Sequence, residues 1–243
     1  MEIHSNIYKQ IIKTEIDYIF INSVLQNKLW DEILVDKIAN LLEDDTDFID
    51  VGACTGLISL GVNLYNKNNI NMHCFECNID SFIKLKYNTK NHKNINIYNF
   101  GLGNKFMLGN MSTSEYNNGI AFIKNEYSEE DNKEISYECF KISENNNIIE
   151  RNIFFSIVKL DDIKYMFKKK VSVIKIDIEG YEKNFLQGAK QFIQEHKPYI
   201  FIEIFDELKN EVFELLYTYN YHMIENIQKY NEISIDYLFG YNF

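Results

Sequence analysis

Ionisable side chains alternate with apolar ones in two runs near the C-terminal end of the chain. Lys175, Asp177 and Glu179 stand two positions apart in residues 173–180, Val-Ile-Lys-Ile-Asp-Ile-Glu-Gly, and Glu203 repeats the pattern in the next apolar run. Because side chains alternate along a strand, the first three are predicted to share one side of a single strand. Burying such groups is costly unless they pair or face an open site. The spacing predicts a reactive site at the strand's carboxyl end, where open α/β sheets bind ligands; a purely structural lysine–carboxylate network is the alternative.

A turn with two glycines lies upstream, between a predicted strand and a predicted helix. Residues 50–56 read Asp-Val-Gly-Ala-Cys-Thr-Gly, and Gly52 lets the backbone turn tightly and approach a ligand closely. The helix that follows begins with unpaired N–H groups, at which an anionic group can dock. Glu76 stands at the end of the next predicted strand, where an acid can bind a ribose diol. Dinucleotides and S-adenosylmethionine share this geometry; a structural turn with a surface glutamate is the alternative.

The details of this turn favour S-adenosylmethionine over a dinucleotide. Dinucleotide sites carry G-x-G-x-x-G, whereas Cys54 occupies the third position here and Gly52 and Gly56 are spaced G-x-x-x-G. Asp50, just before the first glycine, is not part of the dinucleotide pattern. It suits a ligand with an amino-acid end, because the ammonium of such a ligand needs an acidic partner. We therefore expect S-adenosylmethionine at this loop, with Glu76 on its ribose.

Predicted strands and helices alternate around these motifs. Strands are predicted at 48–51, 70–76, 95–100, 171–178, 199–205, 221–227 and 233–239, and helices at 57–65, 79–89, 182–195 and 207–219. The alternation predicts one α/β domain over residues 1–243, with about seven strands in a mostly parallel sheet and helices on both faces. Residues 1–45 are predicted as a helical N-terminal extension. Residues 104–151 are predicted as an insertion with hairpin strands at 120–124 and 135–142, either a substrate lid or a surface loop.

Charge and composition restrict the partners that we expect. The formal net charge is −11 and Arg151 is the only arginine, whereas nucleic-acid and phosphate sites favour arginine forks. No apolar run reaches the roughly 18 residues of a membrane span, and the polar N-terminus is unlike a signal peptide. Cys74 and Cys77 lack the second ligand pair of a zinc site. We expect a cytoplasmic protein without nucleic-acid or membrane partners and without a structural metal.

Several motifs occur in a fixed order along roughly residues 20–205. They are Asp50-Val51-Gly52-Ala53, Phe75-Glu76, Leu160-Asp161-Asp162, Lys175-Ile176-Asp177-Ile178-Glu179-Gly180 with Glu182, Leu186-Gln187-Gly188-Ala189, and Glu203. The whole resembles the FkbM family of methyltransferases. Residues 23–38, with Trp30 and Asp31, are similar to the helical lead-in of that family. Cysteines stand at positions 54 and 77, where the family usually has asparagine and proline.

The resemblance implies a Rossmann-like class I methyltransferase fold, with a seven-stranded sheet whose last strand is antiparallel. It implies that S-adenosylmethionine binds through the loop after the first strand, with Glu76 on the ribose and the adenine near Phe100, Gly101 and Leu102. The expected loop residues are Asp50, Gly52, Ala53, Cys54 and Gly56.

The resemblance also implies methyl transfer by in-line displacement at the sulfonium methyl carbon. A hydroxyl acceptor must lose its proton as it attacks, and Asp177 or Glu179 is the expected general base. Lys175 is expected to hold the carboxylates ionised or to lower the pKa of the acceptor. Alternatively, these carboxylates and Glu203 bind a divalent metal that acidifies the hydroxyl.

The expected acceptor is a sugar, a glycan or another small polyhydroxylated metabolite. This expectation rests on the O-methylation associated with the family and on the acidic, arginine-poor composition. Three alternatives stand beside it: a ribose 2′-O-methyltransferase acting on RNA ends, a methyltransferase-like binding module without activity, and a nicotinamide-dependent oxidoreductase. The last is disfavoured by Asp50 and by the spacing of the glycines.

Overall fold

The computed structural model describes residues 1–14, 18–113, 122–126, 151–229 and 234–242. The N-terminal half contains β1 (Glu2–Ser5), β2 (Gln10–Lys13), α1 (Tyr18–Leu25), α2 (Glu32–Leu41), β3 (Asp47–Val51), α3 (Leu57–Tyr65), β4 (Asn71–Phe75), α4 (Ile79–Thr89), β5 (Ile95–Tyr98), β6 (Gly101–Leu102), β7 (Met107–Thr113) and β8 (Phe122–Glu126). The C-terminal half contains β9 (Arg151–Val158), α5 (Leu160–Ile163), β10 (Val171–Ile176), α6 (Glu182–Gly188), α7 (Lys190–His196), β11 (Tyr199–Phe205), α8 (Lys209–Thr218), β12 (Tyr221–Lys229) and β13 (Ser234–Tyr241).

A seven-stranded sheet forms the centre of the fold, in the order β12-β13-β11-β10-β3-β4-β5. The five strands from β11 to β5 are parallel, and β13 runs antiparallel to both of its neighbours. Every residue of β3 and β10 is buried, as expected for central parallel strands with both faces covered. The predicted α/β architecture, with a mostly parallel sheet and an antiparallel last strand, is confirmed.

The two faces of the sheet pack against different parts of the chain. On one face, Phe48, Val173 and Phe201 pack with apolar residues of the N-terminal segment, α2 and α3. On the other face, Ile49 and Ile174 pack with residues of α6, α7 and α8. The alternation along each strand therefore decides which helices a side chain meets. Lys175 follows Ile174, so it lies on the face covered by the N-terminal segment.

The first residues form a β-hairpin, so the prediction of a wholly helical N-terminal extension is wrong for them. β1 and β2 are antiparallel, with Ile3 opposite Ile12, and both isoleucines are buried. The Asn88 side chain of α4 fastens this hairpin: its Nδ2 donates to the carbonyl of Lys13 at 2.7 Å, and its Oδ1 accepts from the Lys13 N–H at 2.7 Å. The helical part of the extension is confirmed in α1 and α2.

A second sheet, in the order β6-β9-β7-β8, contains the described part of the predicted insertion. β8 lies close to the predicted strand at 120–124 and pairs antiparallel with β7. The predicted strand at 135–142 lies outside the described residues, and a lid role for the insertion stays a prediction. The predicted helix at 182–195 is instead two helices, α6 and α7, separated at Ala189. No helix in the described ranges has both the length and the apolarity needed to cross a membrane.

Candidate active site

The loops that follow β3 and β10 meet at the carboxyl edge of the main sheet. Gly52 has a φ of +77°, and a Cβ atom added there would lie 1.8 Å from the carbonyl oxygen of Asp177. The Asp177 N–H donates to the carbonyl of Val51 at 3.1 Å. A side chain at position 52 would therefore push apart the two loops that carry the predicted cofactor and catalytic residues. This contact explains why the turn has glycine at this position.

Most N–H groups of the 52–56 loop are bonded within the protein. Those of Gly52 and Ala53 both donate to the carbonyl of Phe75 at 3.0 Å, and that of Gly56 donates to the carbonyl of Ala53 at 2.8 Å. The N–H of Cys54, a residue with a φ of 48°, donates to Glu76 Oε2 at 2.8 Å. A pyrophosphate needs several free N–H groups at such a loop. The loop therefore suits S-adenosylmethionine better than a dinucleotide.

Glu76 lies beside this loop at the end of β4, as predicted. Besides the N–H of Cys54, it accepts the N–H of Asn78 at 2.7 Å, on Oε1. Burial raises the pKa of Glu76 to about 7, although both hydrogen bonds oppose the shift. Each carboxylate oxygen has a second lone pair, and the residue is 8% exposed. Glu76 can therefore still accept hydrogen bonds from a ribose diol.

The residues predicted for the adenine lie next to Glu76. The side chain of Asn99 donates to the carbonyl of Glu76 at 2.8 Å. The Phe100 ring follows, edge-on to Phe75 with ring centroids 5.4 Å apart. Gly101 is half-buried and Leu102 is buried at the start of the second sheet. A buried acid at the end of β4, beside a loop with few free N–H groups and a partly exposed aromatic ring, is an arrangement that fits S-adenosylmethionine.

Lys175 connects the cofactor loop with the predicted catalytic carboxylates. Its Nζ donates to the carbonyl of Gly52 at 3.2 Å and lies 3.4 Å from Asp50 Oδ1 and 3.3 Å from Asp177 Oδ2. Burial alone lowers the pKa of Lys175, but the charges of Asp177 and Asp50 outweigh burial and raise the pKa above its ordinary value. The side chain is only 6% exposed. Lys175 is therefore a buried ammonium with two carboxylate partners.

Asp50 lies behind the loop rather than on its open side. Its carboxylate is fully buried, accepts a hydrogen bond from Ser59 Oγ at 2.6 Å on Oδ2, and pairs with Lys175 through Oδ1. The direct contact with a ligand ammonium expected for Asp50 does not match this placement, because a ligand cannot reach a fully buried carboxylate. Any effect of Asp50 on a ligand must pass through Lys175.

Asp177, directly after β10, and Glu203 of β11 form a hydrogen-bonded pair. Burial and then the charge of Asp177 raise the pKa of Glu203 to about 10, and the two side chains are hydrogen-bonded to each other. Ser234 Oγ donates to Glu203 Oε1 at 2.6 Å. At neutral pH Glu203 therefore carries a proton, which it donates to Asp177. The structure thus brings Lys175, Asp177 and Glu203 together, as predicted.

Glu179 departs from the predicted arrangement. β10 ends at Ile176, and Glu179 has a φ of 55° in the turn that follows. The prediction that Asp177 and Glu179 share one strand with Lys175 is therefore wrong, because both follow the end of β10, although Asp177 still pairs with Lys175. Burial, and then the charges of Asp177 and Glu182, raise the pKa of Glu179 well above its ordinary value. Glu182 holds this turn by accepting the N–H of Gly180 at 3.0 Å.

Two further carboxylates at this edge were missed in the sequence. Asp236 lies opposite Glu203 in the β11–β13 register, and burial and the charge of Asp177 raise its pKa to about 8. Asp31 precedes α2 and accepts the N–H of Leu34 at 3.3 Å; burial raises its pKa to about 6, and the charges of Lys175 and Asp177 also act on it. An aspartate just before a helix signals a cap, but nothing local to either residue indicates this edge.

The carboxylates are not arranged as a metal site. In the part of the chain that the structure describes, no group of three or more histidine, cysteine, aspartate or glutamate side chains could hold a metal ion. The alternative in which Asp177, Glu179 and Glu203 bind a divalent metal therefore has no support from this geometry.

Comparison with known proteins agrees with the fold and shows the family. The protein-family profile described as "Methyltransferase FkbM domain" matches residues 50–232. The crystal structure of Methyltransferase FkbM from Methylobacillus flagellatus KT is 16% identical, with a TM-score of 0.52, and the match covers 91% of this chain and 53% of that chain. The present chain thus spans about half the length of that protein. No curated protein sequence matches.

A second solved structure has the same fold. It is that of Aeropyrum pernix fibrillarin in complex with natively bound S-adenosyl-L-methionine, 7% identical with a TM-score of 0.51, covering 86% of this chain and 74% of that chain. At these identities both structural matches concern the fold, which is that of the class I methyltransferases.

Proposed function

Because the chain belongs to the FkbM family of methyltransferases, we propose that it methylates a hydroxyl oxygen of a sugar or another small polyhydroxylated metabolite. Membership of the family makes it an S-adenosylmethionine-dependent methyltransferase, as the order of its motifs predicted. The observation that supports oxygen as the acceptor atom is the ion pair between Lys175 and Asp177, 3.3 Å apart at the carboxyl end of β10. A hydroxyl must give up a proton during methylation, and this pair holds a carboxylate ready to accept it.

The cofactor would be held by the residues around the loop after β3. Gly52, Ala53 and Cys54 form the floor of that site, Glu76 binds the ribose, and the adenine lies at Gly101 and Leu102. When bound, S-adenosylmethionine supplies an electrophilic methyl carbon. The protein's own contribution is to hold the acceptor oxygen in line and to remove its proton.

Asp177 is the general base in this proposal, and Glu179 is not. The side chain of Asp177 is 36% exposed, so an acceptor can reach it, and its partner is the ammonium of Lys175. Burial and the charge of Asp177 raise the pKa of Glu179 well above its ordinary value, which favours the protonated form of its carboxyl group. A protonated carboxylic acid cannot accept the hydroxyl proton.

Glu203 positions the base. As a neutral acid it donates a hydrogen bond to Asp177, while Ser234 donates to Glu203 from the far side. This chain fixes the orientation of the Asp177 carboxylate without adding a second negative charge beside it. Lys175 in turn fixes Asp177 relative to the loop of Gly52, so the proton acceptor and the cofactor loop are held together.

The acceptor class is argued from the chemistry of the site. A neutral carboxylic acid such as Glu203 can both donate and accept hydrogen bonds, as suits a molecule with several hydroxyl groups. The net charge of −11 and the single arginine disfavour a polyphosphate chain such as RNA. We further propose a cytoplasmic location, where the described cysteines, Cys54, Cys74 and Cys77, stay as the free thiols seen here.

The test has two stages. Calorimetric titration with S-adenosylmethionine and S-adenosylhomocysteine, with NAD as the control, should give binding of the adenosyl ligands only, and Glu76→Ala should weaken it at least about tenfold. Formation of S-adenosylhomocysteine is then followed with free sugars, sugar nucleotides, glycans and an RNA oligonucleotide. No cofactor binding would indicate an inactive binding module. Transfer to RNA alone, falling steeply with salt, would favour the ribose methyltransferase.

A further inference from the structure

The same edge of the sheet carries carboxylates that the proposed methyl transfer does not use. Asp236 on β13 and Asp31 before α2 both lie within the electrostatic reach of Asp177, whose charge acts on each of them. Together with Glu203, these residues form what we call the acidic corner: Asp31, Asp177, Glu203 and Asp236. Lys175 is the cation, within the described ranges, whose charge acts on both Asp31 and Asp236. The corner therefore holds four carboxyl groups against one ammonium.

The strand register places three of these groups side by side. Glu203 and Asp236 are directly opposite residues of β11 and β13, so their side chains share a face of the sheet, with Cβ atoms about 5 Å apart. Asp177 is hydrogen-bonded to Glu203 from the other side. Neighbouring strands lie about 4.8 Å apart, so Asp236 is roughly 5–10 Å from Asp177. That span matches two functional groups of one small molecule.

One carboxyl oxygen of Asp236, Oδ2, is buried without a hydrogen-bond partner in the described chain. The residue as a whole is 6% exposed. A buried carboxylate oxygen without a donor is costly. Oδ1 of Asp50, a buried aspartate on the same face, also has no hydrogen-bond partner in the described chain, but it lies 3.4 Å from the ammonium of Lys175. Asp236 has no such cation beside its Oδ2 among the described ion pairs. Asp31 and Asp177 are only partly buried, so the corner meets solvent beside Asp236.

We propose that the acidic corner binds a cationic nitrogen of the acceptor, an ammonium separate from the hydroxyl that is methylated. The acceptor is then an amino sugar or a comparable amino alcohol. This inference rests on the proposed function, because it places the ammonium in the acceptor site next to Asp177. An ammonium offers three donors and a compact positive charge. It would supply the donor that Asp236 lacks and offset the excess of carboxylates.

A cation and a neutral hydroxyl would leave different signatures at this corner. Burial and the charge of Asp177 raise the pKa of Asp236 to about 8 and that of Glu203 to about 10, so protons neutralise both groups at pH 7. The other charged groups that face them are Asp31, Lys175 and Glu179. A bound ammonium would displace a proton from Asp236, because a nearby cation favours the ionised carboxylate. A hydroxyl would displace none.

The experiment compares matched ligands on the protein saturated with S-adenosylhomocysteine. The probes are 6-amino-6-deoxyglucose against glucose, and ethanolamine against ethylene glycol, titrated by calorimetry at pH 7 in phosphate and in MOPS buffer. We expect each amine to bind at least about tenfold more tightly than its neutral partner, as for hydrogen bonds to charged groups. The difference in heat between the buffers should correspond to release of about one proton.

Variants then assign the effect to Asp236. Asp236→Asn should remove the preference for the amine and the proton release, while binding of S-adenosylhomocysteine shows that the variant is folded. Asp206→Asn is the matched control, because Asp206 follows β11 at the same edge but is exposed; it should keep both effects. Equal binding of amine and neutral probes, failure of both amines to bind, or an amine preference that survives in Asp236→Asn would each overturn the inference.

The readouts separate this inference from the proposed function. Methyl transfer to neutral sugars without any preference for amines would leave the proposed function standing and overturn the inference. Amine binding with proton release, but no transfer to any hydroxyl compound, would support the cation site and overturn O-methylation.

Discussion

The carboxyl edge of the main sheet has a cofactor side, with Asp50 and Glu76, and an acceptor side, with Asp177, Glu203 and Asp236. The carboxylates of the two sides obtain their hydrogen-bond partners in different ways. On the cofactor side, Glu76 accepts two backbone N–H groups, and Asp50 accepts a hydrogen bond from Ser59 and forms an ion pair with Lys175. On the acceptor side, Glu203 relies on a shared proton, and an oxygen of Asp236 has no donor in the described chain. The cofactor side is thus preorganised by the fold itself. The acceptor side is completed by protons or by a ligand, so its properties should still change above pH 7, where Glu76 on the cofactor side is already ionised.

Removal of Lys175 should have the largest effect, because this residue belongs to both sides. Lys175→Met leaves Asp50 and Asp177 without their ammonium, and breaking a buried ion pair costs about 3–5 kcal/mol of unfolding free energy. Urea denaturation measures the loss. Lys183→Met, at the exposed pair with Glu211, is the control and should change stability far less. A loss no larger than that of the control would mean that the two sides are independent.

Loss of the general base should impair the acceptor side and leave the cofactor side nearly unchanged. Asp177→Asn removes the proton acceptor but keeps the shape of the side chain, so kcat should fall about 10²- to 10⁴-fold. The dissociation constant of S-adenosylmethionine should change little, because Asp177 belongs to the acceptor side. Glu179→Gln is the comparison and should reduce kcat much less. Similar losses in the two variants would remove Asp177 from its assigned role.

Gly52 tests how closely the two sides must approach. In Gly52→Ala the new methyl group meets the Asp177 carbonyl at 1.8 Å, so we expect a destabilisation of about 1–3 kcal/mol together with weaker cofactor binding. Gly180→Ala provides the contrast. Gly180 also has a positive φ, but the nearest atom to an added Cβ lies 3.6 Å away. Thermal denaturation of both variants should show the larger decrease in Tm for Gly52→Ala.

The smallest expected effect is the change of unfolding free energy with pH, which distinguishes the carboxylates of the two sides. A carboxyl group whose pKa is raised on folding keeps a proton that the unfolded chain releases, so stability is lost as pH rises towards the folded pKa. The contribution of Glu76 ends near pH 7, whereas those of Asp236 and Glu203 extend to about pH 8 and 10. Unfolding free energy should therefore still fall between pH 7 and 9, by at most about 1.4 kcal/mol per pH unit for each group.

Asp236→Asn tests that assignment directly. The variant should show a flatter decrease in stability between pH 7 and 8, and it should be more stable than the wild type at pH 8. Chemical denaturation at pH 7, 8 and 9 measures both. An unchanged slope would mean that Asp236 titrates near its ordinary pKa in the folded protein.

Local patterns account for the parts of the fold that the sequence predicts well. The helices at Leu57–Tyr65 and Ile79–Thr89 have the predicted bounds, because a turn or cap residue and a helical apolar spacing lie within the segment itself. The hairpin of β1 and β2 was missed because each strand has only four residues, too few to establish a period. The break between α6 and α7 follows Gly188, which approaches a segment distant in sequence: a Cβ at Gly188 would lie 1.8 Å from the carbonyl oxygen of Gly103.

The residues of the candidate site likewise divide into those that local sequence patterns predict and those that depend on contacts distant in sequence. The cofactor residues Gly52 and Glu76 were predictable because a turn and the strand after it lie close in sequence. Asp177 and Lys175 were predictable because charges in an apolar strand are conspicuous. Asp236 joins them through an antiparallel register, and Asp31 through the packing of the N-terminal segment. Neither relation is encoded in local spacing.

Asn88 has a consequence for how the chain can be cut. The same Nδ2 that donates to Lys13 in the hairpin also donates to the carbonyl of Thr55 in the cofactor loop, at 2.8 Å. The Tyr8 hydroxyl between β1 and β2 likewise donates to the carbonyl of Leu57 at 3.4 Å. The matched family region begins at residue 50, yet the loop at its start is anchored to residues 8 and 13. A fragment trimmed to the family boundary would lose that anchorage, so we expect it to be less stable than one that includes the hairpin.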